Sequence, residues 1–362
     1  MKYIDEFRNE DLAGRLSRSI NSIVDKKRTY NIMEVCGTHT MNIFRFGIRT
    51  LLPKNINLIS GPGCPVCITP IEYIDKIMAY SRMRGIIITT FGDMLRVPGS
   101  NQNNLYKEKA NGADIRMVYS ASDSLNIAME NKNKKVVFLG IGFETTIPTV
   151  AATILESRKK KVRNHFVLSM HKVMPPALKS LSRDKRINVD GFMLPGHVSA
   201  IIGARPYAFL AKKYRKACAI AGFEPLDILR SVYLLVDQIN RKSPKVDIEY
   251  SRVVRPNGNG TALHLMEKVF DRRDSVWRGL GRIESSGLVL KRRFRDFDIE
   301  SVVGIRVVSC EPKNCLCAYI IKGIKTPPDC RLFGKVCTPE NPIGACMVSN
   351  EGTCSAYYKY RS

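Results

Sequence analysis

Several features that would assign this chain to a common class are missing from its 362-residue sequence. No apolar run approaches the roughly 18 residues needed to cross a bilayer. The opening residues, MKYIDEFRNEDLAGRL, are charged where a signal peptide would be apolar. We therefore expect a cytoplasmic protein without membrane spans. Thiols stay reduced in that compartment, where cysteines more often bind metal or do chemistry than form structural disulfides.

Acidic residues are scarce relative to basic ones. The chain has 58 Lys and Arg against 33 Asp and Glu, which gives a net charge of +25. Such an excess is compatible with nucleic-acid or acidic protein partners. However, the sequence lacks a basic–aromatic repeat, an RNP-like strand and a zinc-finger spacing. We therefore expect solvated basic helix faces and no nucleic-acid partner. A basic zinc protein that binds nucleic acid is kept as an alternative hypothesis.

Short apolar runs, each ending in glycine or polar residues, alternate with helical stretches over the first two thirds of the chain. This pattern is typical of parallel strands buried on both faces, so the predicted fold class is α/β. We predict two successive Rossmann-like parallel-sheet domains, residues 1–125 and 126–240. A helical, cysteine-rich domain, residues 241–362, follows, with a helix over 261–274.

Polar motifs come directly after these predicted strands. Ligands of open parallel sheets collect beyond the carboxyl ends of the strands, so we expect the motifs to converge on one cleft. Any single residue of this kind would more often be structural, but the group together favours a catalytic or proton-handling role. Its members are Cys36, His39, Cys64, Cys67, Glu144, His171 and His197.

The N-terminal cysteines allow two kinds of chemistry. Cys64 and Cys67 form a C-x-x-C motif just before a predicted helix, whose N-terminus would lower the thiol pKa values. A redox pair and a pair of metal ligands both fit this motif. Cys36 precedes His39 by three residues, which permits either activation of the thiolate or joint metal ligation.

The C-terminal cysteines predict a metal site. Cys330, Cys337, Cys346 and Cys354 lie within 25 residues, separated by six, eight and seven positions. Neither the paired knuckles of structural zinc nor the C-x2-C-x2-C run of ferredoxins occurs among these four. Spacing alone leaves zinc and iron–sulfur open, and it leaves open whether Cys315 or Cys317 replaces one ligand. A segment with so little apolar core is expected to fold around its metal.

The motifs in combination resemble the HypD family of [NiFe]-hydrogenase maturation proteins over nearly the whole chain. The segments that carry the resemblance are EVCGTHT, GPGCPVC, TTFGDMLRVPGS, GFETT, SMHK, GFMLPGHVSAIIG and the tail DC-x6-CTPENPIGACMVSNEGTCSAYY.

The resemblance implies a role for each cysteine motif. It makes Cys36 the thiolate that holds iron, and it makes Cys64 and Cys67 a redox-active pair. A [4Fe-4S] cluster would be bound by four tail cysteines, so residues 241–362 become an iron–sulfur domain. The implied cluster ligands are Cys330, Cys337, Cys346 and Cys354.

The resemblance also implies partners. A HypC-type chaperone would join the chain as a scaffold for an Fe(CN)2CO group destined for the hydrogenase large subunit. Cyanide would come from a HypE-type donor, itself supplied by HypF-type carbamoyl transfer. An alternative is an iron–sulfur-dependent protein disulfide reductase similar to ferredoxin-thioredoxin reductase. The Cys36-Gly-Thr-His39 motif favours the scaffold, because a reductase needs only the dithiol and the cluster.

Overall fold

The computed structural model describes residues 5–360. Within this range, eleven strands are formed: β1 (Tyr30–Glu34), β2 (Ile56–Ser60), β3 (Ile86–Thr90), β4 (Ile115–Met117), β5 (Lys135–Gly140), β6 (His165–Ser169), β7 (Gly191–Pro195), β8 (Ala217–Ala221), β9 (Val246–Ile248), β10 (Phe270–Trp277) and β11 (Gly281–Leu290).

The helices of the same range alternate with these strands and then continue into the tail. The α-helices are α1 (Glu10–Ile23), α2 (Gly37–Arg45), α3 (Pro65–Ile68), α4 (Ile71–Ser81), α5 (Leu105–Ala110), α6 (Ala121–Glu130), α7 (Ile147–Lys159), α8 (Met174–Arg183), α9 (Gly196–Ile202), α10 (Ala208–Lys212), α11 (Pro225–Asn240), α12 (Gly260–Val269), α13 (Ile299–Val302), α14 (Cys317–Ile321) and α15 (Thr353–Tyr360). Short 3-10 helices span Asp5–Phe7, Ile48–Leu51, Gly92–Arg96, Arg205–Tyr207, Arg292–Phe297, Pro327–Asp329 and Ala345–Met347.

Two parallel sheets organise the described residues, which confirms the predicted α/β class. The first sheet has the strand order β2-β1-β7-β8-β9, and the second has the order β4-β3-β5-β6. Every pair of neighbouring strands in both sheets is parallel. Strands β3, β6, β7 and β8 are buried along their whole length, as their continuous apolar sequences predict.

The two sheets do not follow one another along the chain. The chain begins the first sheet with β1 and β2, builds the whole second sheet, and then returns with β7 to complete the first. Strands of both sheets therefore lie on each side of residue 125, where the sequence suggested a boundary. The cause is the pairing of Ile32–Glu34 with Gly191–Met193, a contact that no local hydrophobic pattern encodes. The limits 1–125 and 126–240 as independent domains stay a prediction.

The helix predicted over 261–274 ends earlier in the structure. Helix α12 ends at Val269, and residues 270–290 form the antiparallel hairpin β10–β11. Gly279 and Gly281, both with positive φ, make the turn that reverses the chain, so residues 270–277 pair with 281–290 instead of continuing the helix. The region after residue 241 is therefore less helical than predicted, while its cysteine-rich end is confirmed.

The tail packs against the first third of the chain. Tyr357 of α15 contacts Phe44 of α2, with ring centroids 4.4 Å apart, and Arg96 donates a hydrogen bond to the carbonyl of Val348 at 2.8 Å. Met347 and Val348 are buried in the same core as the strands. The apolar residues of the tail therefore pack into the core of the α/β body. None of the helices in residues 5–360 combines the length and apolar character needed to span a membrane.

His165 at the start of β6 has a structural role. Its Nε2 lies 2.8 Å from the Ser124 hydroxyl and its Nδ1 lies 2.9 Å from the Ser157 hydroxyl, so both ring nitrogens are hydrogen-bonded inside the core. Burial lowers the pKa of His165 to about 4. The folded protein therefore keeps this ring neutral at pH values where an unfolded histidine, with a pKa of about 6.5, binds a proton.

We expect the His165→Gln substitution to change the pH dependence of stability. Between about pH 6.5 and 4 the unfolded wild-type chain binds the extra proton, so this histidine's contribution to the free energy of unfolding falls as the pH falls. The stability difference between wild type and variant should shrink over that window by up to roughly 3 kcal/mol. Equilibrium urea unfolding measures it. A difference that stays constant over that window would contradict the assignment.

Candidate functional site

A cleft of about 730 Å³ lies where strands of both sheets end. Strands β1 and β7 of the first sheet and β3 and β5 of the second point their carboxyl ends at it, and the C-terminal tail closes one side. The expected convergence of strand ends is therefore present. The lining includes Val35, Cys36, Thr38, Gly63, Pro65, Val66, Phe91, Asp93, Gly142, Phe143, Pro195, His197, Asn350 and Glu351.

Cys36 lines this cleft, and backbone contacts fix its position. It follows β1 directly and is the N-cap residue of α2. The Gly37 N–H donates to the Gly63 carbonyl at 3.1 Å, so the segment before Cys64 is tied to the start of α2. A Cβ atom on Gly63 would lie 2.4 Å from both the Cα and the N of Cys36. The GPGC segment can approach Cys36 this closely only because residue 63 is glycine.

The free Cys36 thiol holds its proton strongly. Burial, followed by the negative charge of Glu351, raises the pKa of Cys36 to about 12, although the backbone N–H groups of His39 and Thr38 act in the opposite direction. A thiolate therefore forms here only when something replaces the proton. A metal ion with affinity for soft sulfur ligands does so, because metal binding to cysteine releases the proton.

Glu34, at the end of β1, is a candidate functional residue that the sequence motifs did not single out. Its carboxyl group accepts hydrogen bonds from the Thr40 hydroxyl and, at 3.3 Å, from the Cys36 N–H. Burial raises the pKa of Glu34 to about 8, so it is mostly protonated at neutral pH. The signal was present in the sequence, since Glu34 stands two residues before Cys36 in the same strand-end motif.

Cys64 and Cys67 form a disulfide next to residues that line the cleft. Cys64 is the N-cap residue of the short helix α3, and Cys67 lies within that helix. Their Cα atoms are 5.3 Å apart. Pro65 and Val66 between them line the cleft, while the Cys67 sulfur lies 3.8 Å from the carbonyl oxygen of Ala345 in the tail. The pair therefore lies between the Cys36 cleft and the C-terminal cysteines.

The tail cysteines converge on one another. The Cys317 and Cys346 sulfur atoms are 2.8 Å apart, and Cys315 and Cys354 are hydrogen-bonded to Cys317 and Cys346 respectively. Cys315 and Cys317, which the spacing left open as ligands, thus contact the same group of sulfur atoms as Cys346 and Cys354. Cys330, Cys337, Cys346 and Cys354 are all buried, whereas Cys310 is exposed.

The thiols of the tail suit an iron–sulfur cluster in their chemistry. They are soft donors in a largely buried setting, which is the environment in which clusters with four cysteine ligands are held. The Cys337 sulfur accepts a hydrogen bond from the Ile343 N–H at 3.4 Å, and such bonds stabilise a sulfur ligand. Between residues 5 and 360, no group of three or more His, Cys, Asp or Glu side chains is already arranged to hold a metal ion. That four of these cysteines bind a cluster therefore stays a prediction.

Of the predicted histidines, only His197 lines the cleft with Cys36. His39 and His197 both stack on Phe223, with ring centroids 4.8 and 3.9 Å away. The His39 Nε2 donates to the Gly222 carbonyl at 2.9 Å, and burial lowers its pKa to about 4. The imidazole of His39 therefore binds the loop after β8. The part of His39 that contacts the Cys36 thiol is its backbone N–H.

Glu144 and His171 lie away from the cleft lining, which corrects the expectation that they share it with Cys36. Glu144 turns toward α8, where its Oε1 accepts a hydrogen bond from the Met174 N–H at 2.9 Å, and burial raises its pKa to about 7. His171 Nδ1 lies 3.2 Å from the Ser169 hydroxyl, beside the Phe270 ring. Phe143 occupies the cleft position instead, because successive residues after a strand point in different directions.

Fold and site together define a two-sheet α/β protein in which a buried thiol lines a cleft, with a C-x-x-C disulfide and a cysteine-rich tail packed beside it. The profile of the HypD family, described as the hydrogenase formation hypA family, matches residues 11–361. The chain belongs to this family of hydrogenase maturation factors.

Individual relatives match along almost their entire length. The chain is 44% identical over 368 residues to hydrogenase maturation factor HypD2 of Bradyrhizobium diazoefficiens and, equally, to HypD of Cupriavidus necator, covering 99% of this chain and 97% of each relative. It is 43% identical over 343 residues to a putative hydrogenase expression/formation protein of Methanocaldococcus jannaschii, covering 94% of this chain and 95% of that protein.

The contact between Gly63 and Cys36 yields a prediction. Gly63→Ala would force the backbone of Cys36 to move, because the added Cβ has no room at 2.4 Å. We expect a loss of about 1–3 kcal/mol in the free energy of unfolding, measured by urea denaturation. Gly304→Ala is the matched control, since nothing lies within 4 Å of its added Cβ. Equal stabilities of the two variants would contradict the close packing of the two segments.

Proposed function

We propose that this chain, paired with a HypC-type chaperone, is the scaffold on which the Fe(CN)2CO group of [NiFe]-hydrogenase is assembled. The observation that carries the proposal is that Cys36 lines a cleft together with Pro65 and Val66, the two residues between the disulfide-bonded Cys64 and Cys67. The cleft leaves space for an iron ion with diatomic ligands, and membership of the hydrogenase maturation family supports that cargo.

Cys36 is the iron-holding group of the proposal. Iron bearing cyanide and CO is low-spin and favours soft, strongly donating ligands, for which cysteine is better suited than carboxylate. The partner chaperone would supply a second thiolate from the open side. The proton displaced from the Cys36 sulfur needs an acceptor, and His197 is available on the same lining. Burial lowers the pKa of His197, so its ring is neutral and able to accept at neutral pH.

The Cys64–Cys67 pair is the redox-active element of the proposal. Reduction of the disulfide to two thiols consumes two electrons and two protons. When bound, a [4Fe-4S] cluster supplies electrons one at a time. The residues proposed to hold it are Cys330, Cys337, Cys346 and Cys354, with Cys315 and Cys317 as possible replacements. The contact of Cys67 with Ala345, next to Cys346, supports an exchange of electrons over a short distance.

The remaining parts of the proposal concern partners and location. A HypE-type donor would deliver cyanide, and the hydrogenase large subunit would finally receive the group, all in the cytoplasm. A second candidate function is an iron–sulfur-dependent protein disulfide reductase, which the disulfide beside the tail favours. The two differ at Cys36, which a reductase does not require.

We expect Cys36→Ala to abolish iron cargo without removing the tail's iron. The protein would be co-purified anaerobically with its chaperone and examined by infrared spectroscopy in the cyanide and CO stretching region. The bands should vanish in Cys36→Ala. They should persist in Cys218→Ala, which removes an equally buried thiol from β8, outside the cleft. Unchanged bands in Cys36→Ala would show that Cys36 does not hold the iron and would move the cargo to Cys64 or Cys67. Absence of the bands from the wild-type complex would instead leave the reductase as the better candidate.

We also expect Cys337→Ala to lower the iron and sulfide content of the anaerobically purified protein, because it removes a buried thiol proposed as a ligand. The loss should make residues 310–362 more sensitive to limited proteolysis, since metal binding and folding are coupled in such segments. Cys310→Ala is the control, because this thiol is exposed in the same segment. Full iron in Cys337→Ala together with loss in Cys317→Ala would instead assign Cys317 as the ligand.

A further inference from the structure

Arg278 is a buried cation fixed to the segment that carries the Cys64–Cys67 pair. It lies in the turn between β10 and β11, and its side chain is 3% exposed. Its backbone N–H donates to the carbonyl of Ile68 at 2.8 Å, and its Nε donates to the carbonyl of Thr69 at 3.0 Å. Ile68 and Thr69 directly follow Cys67, so two hydrogen bonds tie this arginine to the end of helix α3.

The same turn touches the tail cysteines from the other side. Gly279 packs against Ala318, the residue after Cys317, and an added Cβ would lie 2.8 Å from the Ala318 carbonyl oxygen. The Cys317 sulfur in turn lies 2.8 Å from the Cys346 sulfur. The arginine is therefore placed between the disulfide-forming pair and the tail cysteines.

The charge of Arg278 is poorly compensated within residues 5–360. Its Nη2 is buried and finds no hydrogen-bond partner there. Its nearest carboxylate, Glu311, is 54% exposed and lies 3.6 Å from Nε. An ion pair with a carboxylate this exposed contributes little, whereas a buried cation without a partner is costly. The arrangement would be balanced by negative charge on the neighbouring sulfur atoms.

We propose that Arg278 is the built-in positive counter-charge of the tail's thiolate-bound cluster and the residue that positions the Cys64–Cys67 segment beside it. The inference rests on the proposed iron–sulfur function. Arg278 acts through its charge and its hydrogen bonds, and it forms no bond with substrate.

The electrostatic consequence has a defined sign. A cluster held by four thiolates is anionic, and each one-electron reduction adds a further negative charge. A fixed cation at its side stabilises the reduced form more than the oxidised form, so it raises the midpoint potential. The electrons are supplied by a low-potential one-electron donor, for which dithionite serves in the experiment below.

The test compares three variants of the full-length protein, purified anaerobically. Arg278→Gln removes the charge, and Arg278→Lys keeps it while losing the planar guanidinium. Arg282→Gln is the matched control, because Arg282 lies on the same hairpin but is 75% exposed and paired with Asp274. Iron and sulfide are counted first, and the midpoint potential is then measured by dithionite titration followed by electron paramagnetic resonance.

The proposal expects a lower midpoint potential in Arg278→Gln, a value near wild type in Arg278→Lys, and no change in Arg282→Gln. If Arg278→Gln binds less iron, the proposal expects Arg278→Lys to restore it. An unchanged potential in fully loaded Arg278→Gln overturns the proposal. Equal loss of iron in the Gln and Lys variants also overturns it, because charge would then not be the property that matters.

A separate readout distinguishes this inference from the proposed function. If wild-type protein contains no iron or sulfide, the iron–sulfur function fails and the counter-charge role fails with it. The positioning role is still tested in the metal-free protein, where limited proteolysis should cut near Thr69 faster in Arg278→Gln than in wild type or Arg282→Gln, because the Arg278 Nε no longer binds the Thr69 carbonyl. Equal cleavage in all three proteins overturns the role of Arg278 in positioning the Cys64–Cys67 segment.

Discussion

The parallel pairing of β1 with β7 is the contact on which the rest of the site depends. It joins a strand near the start of the chain to one more than 150 residues later, with Glu34 opposite Met193. This register sets the ends of the two strands side by side, so Cys36 and His197 reach the same cleft. Because the second sheet is built between them, its own strand ends arrive at the cleft from the other side. A slip of one residue would turn these side chains away.

Close approach of backbones is the second constraint, and glycine makes it possible at two positions. Gly63 lies against the backbone of Cys36, while Gly37 lies against Glu351, whose Cβ would be 2.4 Å from an added Cβ. The first contact brings the disulfide-forming pair to Cys36. The second brings the tail, together with its cysteines, to the start of α2. The GPGC and CGTHT motifs therefore allow close packing of these segments as well as providing their cysteines.

The sequence predicted the class of fold and the convergence of motifs at strand ends, because both follow from local apolar runs and the polar residues after them. It did not predict that β1 pairs with β7, since that choice is made between distant segments. It also did not predict which strand-end residues face the cleft. Glu144 and Phe143 are adjacent in sequence, yet only Phe143 lines it. Arg278 and Glu34 escaped notice because their burial depends on contacts with other parts of the chain.

The electrostatics of the cleft explain why the charge of the chain says little about its function. The residues that line the cleft include Asp93 and Glu351 but neither lysine nor arginine, so the excess of basic residues lies elsewhere. Burial keeps Cys36 as a thiol and leaves Glu34 mostly protonated, while His197 stays neutral. A buried thiol with no lysine or arginine beside it in the lining does not attract anions or react by itself. In the proposed function its chemistry would begin when a soft metal ion displaces the thiol proton, which would suit a scaffold that holds its cargo only while the cargo is being built.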